Sequence, residues 1–313
     1  MKTMYLAASH TLHRGYYLGD VIILVKVATM FAETHPHDYY VLSLMVDDPL
    51  NFLWEKFVSD YNVTIIWDDW DRGNKKVQYG HFDRRHLRGC IGEQHFDTYR
   101  ELYPRLDGSD RQNVLAGGET GLGRANIFEY YYYGQLGWDG FPEPRDSRTF
   151  GRGIIEMPPH RPIDRSLVYI APWEKCQGNG TFTHDFWRSV VYTLLDAGLS
   201  VTLNDNRGLM PPGTEDQYDG RLHRVFPPFH ELPGIMSRHT CTACGNTGIG
   251  WVAGAGEYPL VACESNQMIF PEYSFEKCGV RSLRHVQREP DPAALVEAIR
   301  HACAARSTPI ATT

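Results

Sequence analysis

The first 67 residues alternate between apolar segments typical of buried strands and segments whose apolar positions recur at helical spacing. The clearest helical segment, residues 21–34, ends just before Pro36, because the residue that precedes a proline disfavours the helical conformation. This part of the chain predicts strand, helix, strand, helix and strand, at residues 3–8, 21–34, 39–46, 50–59 and 63–67. Such alternation is typical of a parallel sheet covered by helices.

The same alternation restarts after a proline-rich segment. Residues 138–166 contain five prolines among many charged residues, and we interpret them as a linker. Beyond it, the pattern predicts strands at residues 167–171, 200–203, 222–226, 240–244 and 259–263. It predicts helices at residues 183–197, 229–237, 248–255 and 292–304. We therefore predict two α/β domains, residues 1–150 and 151–313, with the C-terminal helix able to pack back on the first domain.

The end of the first half has a weaker pattern. Residues 68–125 are polar, rich in Arg, His and Gly, and indicate only helix fragments. A glycine-rich stretch around Glu119 is interpreted either as a loop that faces an acceptor or as a flexible connection. Residues 125–136 have a helical pattern with four consecutive tyrosines, 130–133, whose side chains point in different directions. We expect most of these tyrosines in packing and one in a ligand pocket.

Charge and hydropathy narrow the class of protein. The chain has 313 residues, a net charge of −7 and a sequence pI of about 6.0, which argues against nucleic-acid binding despite a basic patch at residues 84–88. Its longest apolar run, residues 21–32, is interrupted by Lys26 and is far shorter than the roughly 20 residues that span a bilayer. The apolar stretch near the N-terminus is too short for a secretory signal. We expect a cytoplasmic protein with no membrane span and no nucleic-acid partner.

The seven cysteines are scattered, which is typical of reduced thiols in a large intracellular chain. Cys241 and Cys244 form a lone C-x-x-C motif with His230 and His239 upstream, a set that could suggest zinc. A zinc site needs four converging ligands. We therefore favour two half-buried thiols near a strand end and predict no metal.

The first loop with candidate chemistry spans residues 10–20, between the first strand and the first helix. In open α/β sheets, ligands bind beyond the carboxyl ends of the strands. Asp20 follows Gly19 where the helix opens. Its carboxylate is interpreted either as the cap of the helix or as a general base at the mouth of a cleft.

A second loop, residues 172–183, links the first strand of the second half to a helix. It offers a cation, side-chain amides and glycine backbone N–H groups, which suit a diphosphate. The order of these residues is not that of a P-loop, and a glycine turn with a surface lysine is the alternative. The residues concerned are Lys175, Gln177 and Asn179.

A third loop leads from a strand into a helix of small residues. Phosphates favour helix N-termini, and small residues let a ligand approach closely. The alternative is a helix packed tightly against a sheet. The loop consists of Gly245, Asn246, Thr247 and Gly248.

Together, and in this order along the chain, the three loops resemble the heptosyltransferase-like glycosyltransferases, a family of GT-B architecture. The matching residues are Gly19-Asp20 with Pro36, the segment 127–142 with Leu136-Gly137, Lys175 before Phe186-Trp187, and Asn246-Thr247-Gly248 with Pro259. Two residues depart from the family pattern. Asn246 stands where an Asp is usual, and Trp251 stands where a His is usual.

The resemblance implies a GT-B fold, in which two Rossmann-like domains face each other across a cleft. It implies that a sugar is transferred from a nucleotide diphosphate to a hydroxyl-bearing acceptor, with inversion, without a metal and without a cofactor. Asp20 would be the general base. The donor would bind Lys175, Gln177, Asn179, Gly245, Asn246, Thr247 and Gly248, and the acceptor side would include Arg14, Gly19, Glu119 and Tyr131.

Two other functions remain open from the sequence. A nucleotide-sugar epimerase or hydrolase on the same scaffold would convert the donor with no acceptor present. A binding protein that lost catalysis would bind nucleotide without turnover, and Asn246 in place of Asp is the feature that favours it. The sequence identifies neither the sugar, the base, the acceptor nor the oligomeric state.

Overall fold

A computed structural model of the chain describes residues 3–7, 18–34, 39–45, 49–68, 150–172, 181–205, 207–268 and 273–305. The chain forms two compact units. The first comprises residues 1–149 and 154–156, and the second comprises residues 150–153 and 157–313. The predicted helix at 125–136 and the glycine-rich stretch around Glu119 lie outside the described residues.

The first unit contains a parallel sheet in which three strands pair in the order β1-β2-β3. Its strands are β1 (Thr3–Ala7), β2 (Tyr39–Met45) and β3 (Val63–Asp68). Among its described residues, the helices are α1 (Leu18–Thr34), a 3-10 turn (Asn51–Trp54) and α2 (Glu55–Asp60). The predicted order of elements in the first 67 residues is therefore confirmed.

Helix α1 begins one turn earlier than predicted. Leu18, Val21, Ile22 and Val25 are all buried, so the apolar stripe that packs on the core starts at residue 18. Asp20 consequently lies inside the first helical turn, and the interpretation of this residue as the N-cap is wrong.

The second unit contains six parallel strands in the order β6-β5-β4-β7-β8-β9. They are β4 (Leu167–Ala171), β5 (Ser200–Asn204), β6 (Leu222–Val225), β7 (Cys241–Gly245), β8 (Leu260–Cys263) and β9 (Leu283–Gln287). Strand β9 was not predicted, because it lies at the sheet edge, is only partly buried and has no continuous apolar run.

Two long helices cover one face of this sheet. The helices of the unit are α3 (His184–Asp196), α4 (Thr214–Gln217), α5 (Leu232–Met236), α6 (Gly248–Ala255) and α7 (Pro292–Ala304). Val190 and Leu194 of α3 join Leu295 and Ile299 of α7 in one buried cluster above the strands. The C-terminal helix thus packs on the sheet of the second unit. Of the helices that the structure describes, none has both the length and the apolar character to cross a membrane.

Proline and glycine set the ends of two helices. The predicted helix at 229–237 is a 3-10 turn (Phe229–Glu231) followed by α5, and Pro233 lies in the first turn of α5, where its missing N–H costs no helical hydrogen bond. Helix α3 stops before Gly198, whose φ of +83° is readily adopted only by glycine.

Most of the second half of the predicted linker, residues 150–153 and 157–166, belongs to the second unit. Phe150 is fully buried and bridges Val280. Further along, the N–H groups of Arg161 and Ile163 donate to the carbonyl groups of Ser237 and Arg238, at 2.8 and 3.0 Å. These two N–H groups attach residues 161–163 to the segment that precedes β7, so this part of the predicted linker is not a free connector.

Candidate functional site

The strand order of the second unit defines where a ligand is expected. Counted in chain order within the unit, the sheet runs 3-2-1-4-5-6, so the direction of progression reverses between β4 and β7. In sheets of this type, ligands bind in the crevice outside the carboxyl ends of the strands at that reversal. Ala171 of β4 is the register partner of Cys244 of β7, so the loops that follow these two strands leave the sheet side by side.

These two loops are the second and third loops selected from the sequence. The second loop leaves β4 at Pro172 and is described again at Thr181, whose hydroxyl donates to that of Ser265 at 3.0 Å. Ser265 follows β8, and strand β7 lies between β4 and β8. One described end of the second loop is therefore on the β4 side of the third loop, and the other is on the β8 side. Lys175, Gln177 and Asn179 themselves lie outside the described residues.

The third loop ends at an unoccupied hydrogen-bonding position. Thr247 is the N-cap of α6, but its side chain makes no capping hydrogen bond. Its hydroxyl oxygen is buried and has no hydrogen-bond partner among the residues that the structure describes. The first N–H groups of a helix also lack partners within the helix and carry the positive end of its dipole. A buried hydroxyl and a helix N-terminus at the sheet's reversal point are together suited to an anionic ligand.

Asn246 faces the protein interior. Its side-chain nitrogen donates to Glu264 Oε1 at 2.7 Å and to the carbonyl oxygen of Tyr273 at 2.9 Å, and the residue is 6% exposed. An amide nitrogen has two hydrogens, and both are used in these bonds. The side chain of Asn246 therefore holds the turn in place. The predicted donor contact at this residue remains a prediction.

Glu264 is a buried carboxylate that the sequence analysis did not select. It lies directly after β8 and accepts hydrogen bonds from the hydroxyl of Ser274 at 2.8 Å and the N–H of Phe275 at 2.7 Å. Burial raises the pKa of Glu264, while its hydrogen-bond donors and the charge of Arg288, 3.5 Å away, act in the opposite direction. The available signal was its place as the first polar residue after the buried run Leu260–Cys263.

Helix α6 is packed against aromatic rings. The Trp251 ring lies 5.0 Å from that of Phe275 and 5.3 Å from that of Phe150, and Trp251 is 2% exposed. At the position where the family resemblance expects a His, this chain therefore has an indole that belongs to the core. Gly250 lies so close to Phe275 that a Cβ atom on it would overlap the phenyl ring. The two interpretations of this helix, close packing and ligand approach, are compatible, because packing fixes its N-terminus.

The C-x-x-C motif is part of the sheet. Cys241 and Cys244 are fully buried in β7, more deeply than predicted, and no group of three or more potential ligands occurs among the described residues. Both ring nitrogens of His239 are engaged, with the carbonyl oxygen of Ile235 at 2.8 Å and the hydroxyl of Thr202 at 2.7 Å. Burial lowers the pKa of His239. This histidine is therefore a buried polar residue of the core.

In the first unit, Gly19 and Asp20 are the described members of the predicted site. Both lie in the first turn of α1. Helix α1 connects the parallel strands β1 and β2, so it begins at the end of the sheet where β1 finishes. Arg14, Glu119 and Tyr131 lie outside the described residues.

Two solved structures with a similar fold are heptosyltransferases. The ADP-heptose LPS heptosyltransferase II of E. coli is 14% identical over 98% of this chain and 100% of its own, with a TM-score of 0.55. The E. coli heptosyltransferase WaaC with ADP is 11% identical over 96% of this chain and 99% of its own, with a TM-score of 0.50. No family model matches the chain, and no curated protein does. At these identities the likeness establishes the fold, and the predicted resemblance is confirmed at that level.

The packing of α6 generates a stability prediction. Gly250→Ala is expected to destabilise the protein by about 1–3 kcal/mol, because the added methyl group overlaps the Phe275 ring. Gly234→Ala in α5 is the matched control. No atom lies within 4 Å of its added Cβ, so this variant is expected to be about 0.5–1 kcal/mol more stable than the wild type. Urea unfolding measures both, and equal effects of the two substitutions would refute the close approach of α6 to Phe275.

Proposed function

We propose that this chain is a glycosyltransferase that moves a sugar from a nucleotide-diphosphate donor to a hydroxyl-bearing acceptor. The observation that carries the proposal is the buried, unpartnered hydroxyl of Thr247 at the N-terminus of α6. It lies at the reversal point of the sheet, in a chain with the fold of the heptosyltransferases. The WaaC structure contains ADP, which supports a nucleoside diphosphate as the ligand.

We assign the donor to the second unit. The diphosphate would accept hydrogen bonds from the Thr247 hydroxyl and from the backbone N–H groups of residues 245–248. Lys175 would supply the positive charge, with Gln177 and Asn179 as further donors, as the resemblance implies. The negative charge that develops on the leaving diphosphate would then be neutralised by Lys175 and by the backbone dipoles of α6. The mechanism we propose therefore uses no metal.

We assign the acceptor to the first unit and the role of general base to Asp20. The carboxylate would take the proton of the acceptor hydroxyl as its oxygen attacks the anomeric carbon and the bond to the diphosphate breaks. A single displacement of this kind inverts the anomeric configuration. The position of Asp20 in the first turn of α1 supports the assignment, because that turn begins at the end of the sheet where β1 finishes, and ligands of such sheets bind beyond the carboxyl ends of the strands. The cleft that the resemblance implies between the two domains, and the cytoplasmic location, remain predictions.

The side chain of Asn246 bears on the alternative of a non-catalytic binding protein. That alternative rested on Asn246 in place of a ligand-side Asp. Here the amide is turned inward and bonded to Glu264, so the substitution removes no group that faces the proposed donor. We therefore favour an enzyme.

Thr247→Val tests the donor site. Among the described residues the Thr247 hydroxyl has no hydrogen-bond partner, so its removal is expected to leave the free energy of unfolding unchanged or raised. Loss of its hydrogen bond to a charged diphosphate is expected to weaken binding by about tenfold or more. Titration calorimetry with ADP, UDP and GDP measures the effect.

Thr242→Val is the matched control for this substitution. Thr242 also has a buried hydroxyl with no partner, but it lies within β7, ahead of the turn. The control is expected to bind nucleotide like the wild type. Unchanged binding in Thr247→Val as well would contradict the proposed donor site.

Asp20→Asn tests the base. Removal of a general base is expected to lower the rate of sugar transfer by about 10²–10⁴-fold and to leave the dissociation constant of the nucleotide unchanged. Glu33→Gln likewise replaces a carboxylate with an amide, but at an exposed residue at the other end of α1. This variant is expected to retain full activity. Full activity in Asp20→Asn would refute the assignment. Conversion of the sugar nucleotide by the wild type with no acceptor present would favour the epimerase or hydrolase.

A further inference from the structure

The carboxylate of Glu264 connects four segments of the second unit. Its Oε1 accepts from the Asn246 side chain in the turn after β7 and from the N–H of Phe275, both at 2.7 Å. Its Oε2 accepts from the Ser274 hydroxyl at 2.8 Å and lies 3.5 Å from Nη1 of Arg288, which follows β9. Glu264 is fully buried, so these groups are what compensates its charge.

Asn246 is fixed from two directions. One hydrogen of its amide goes to Glu264 and the other to the carbonyl oxygen of Tyr273, so the side chain has no donor left with which to adopt another orientation. Asn246 directly precedes Thr247, the N-cap of α6. The orientation of the Asn246 side chain therefore restricts the backbone that carries the Thr247 hydroxyl and the first N–H groups of the helix.

We propose that Glu264 is a positioning residue for the diphosphate of the donor. It acts through Asn246, which holds the turn so that the Thr247 hydroxyl and the N–H groups of α6 are aligned before the ligand arrives. This proposal rests on the proposed function. Donors that are held in place before binding lose little freedom on binding, so they raise affinity more than mobile ones. Glu264 itself touches no ligand.

The charged groups near the Glu264 carboxylate determine which substitutions can test its positioning role. Arg288 is the cation that faces Glu264 among the described residues, and it also pairs with the exposed Glu276 at 2.6 Å. The other groups that bond to the Glu264 carboxylate, those of Ser274, Phe275 and Asn246, are uncharged. Asn246→Asp would place a second carboxylate against the first at hydrogen-bond distance. Two carboxyl groups in such contact share one proton at low pH and repel each other at neutral pH.

Three variants and one control separate positioning from general stability. Glu264→Ala removes the acceptor, Glu264→Gln keeps an acceptor for the Asn246 amide, and Asn246→Asp replaces the donating amide with a carboxylate that can donate only when it is protonated. Glu257→Ala is the control, because Glu257 lies before the other end of β8, is partly exposed and pairs with Arg152 and Arg281. Each variant is titrated with ADP, UDP and GDP under conditions where urea unfolding shows it to be folded.

Positioning predicts a specific pattern of dissociation constants. Glu264→Ala is expected to bind the recognised diphosphate about tenfold or more weakly, Glu264→Gln within about threefold of the wild type, and Glu257→Ala like the wild type. Asn246→Asp is expected to bind weakly near about pH 7.5 and to recover near about pH 5.5, where a shared proton restores the hydrogen bond. The wild type is expected to show no such recovery.

Two other outcomes overturn the proposal in distinguishable ways. If folded Glu264→Ala and Asn246→Asp bind the diphosphate like the wild type at both pH values, Glu264 has only a structural role and the proposed function stands. If the wild type binds none of the three diphosphates, the proposed function fails, and the positioning role fails with it.

Discussion

The pairing of β4 with β7 is the constraint on which the candidate site depends. Because these strands are parallel and adjacent, with Ala171 in register with Cys244, their following loops leave the same edge of the sheet next to each other. The chain enters the sheet at β4, proceeds outward through β5 and β6, and returns to the other side of β4 at β7. Because the chain returns in this way, no connecting helix crosses the space between the loops that follow β4 and β7, and a ligand can bind there. The unpartnered Thr247 hydroxyl lies at this position.

The position also explains how an acidic chain could bind an anion. A net charge of −7 describes the whole surface, whereas a diphosphate responds to groups within a few ångströms. The N-terminus of α6 carries positive partial charge whatever the side chains are. The carboxylate of Glu264, which would oppose an anion, is turned away and compensated by its own donors and by Arg288. Local geometry therefore outweighs net charge at this site.

Local patterns were sufficient to predict most of the second unit. Helices α6 and α7 have the predicted limits, because small or apolar residues at helical spacing are bounded by the N-caps Thr247 and Asp291. Strand β9 escaped prediction, because an edge strand needs no continuous apolar run. The start of α1 was placed three residues late, because Leu18 stands apart from the apolar run that begins at Val21. These differences concern the ends and edges of elements, where local signals are weakest.

The inward orientation of Asn246 could not be predicted from the sequence. Its partner Glu264 is 18 residues away, and only the pairing of β7 with β8 brings the two together. The burial of Trp251 against Phe150 and Phe275 is likewise a long-range effect. In both cases the resemblance marked a residue that departs from the family pattern, and the structure shows that its side chain is buried and contacts other parts of the second unit. Sequence position identified the loop, and tertiary contacts identified what each residue does in it.

Hydrogen exchange of the full chain, with and without ADP, UDP and GDP, tests whether the loops after β4 and β7 together form one diphosphate site. If they do, the recognised diphosphate slows exchange in peptides that cover residues 172–181 and 245–250, while peptides from β9 and α7 stay unchanged. Exchange that is slowed at neither loop by any of the three, or only at a place remote from both, would show that these loops do not form such a site.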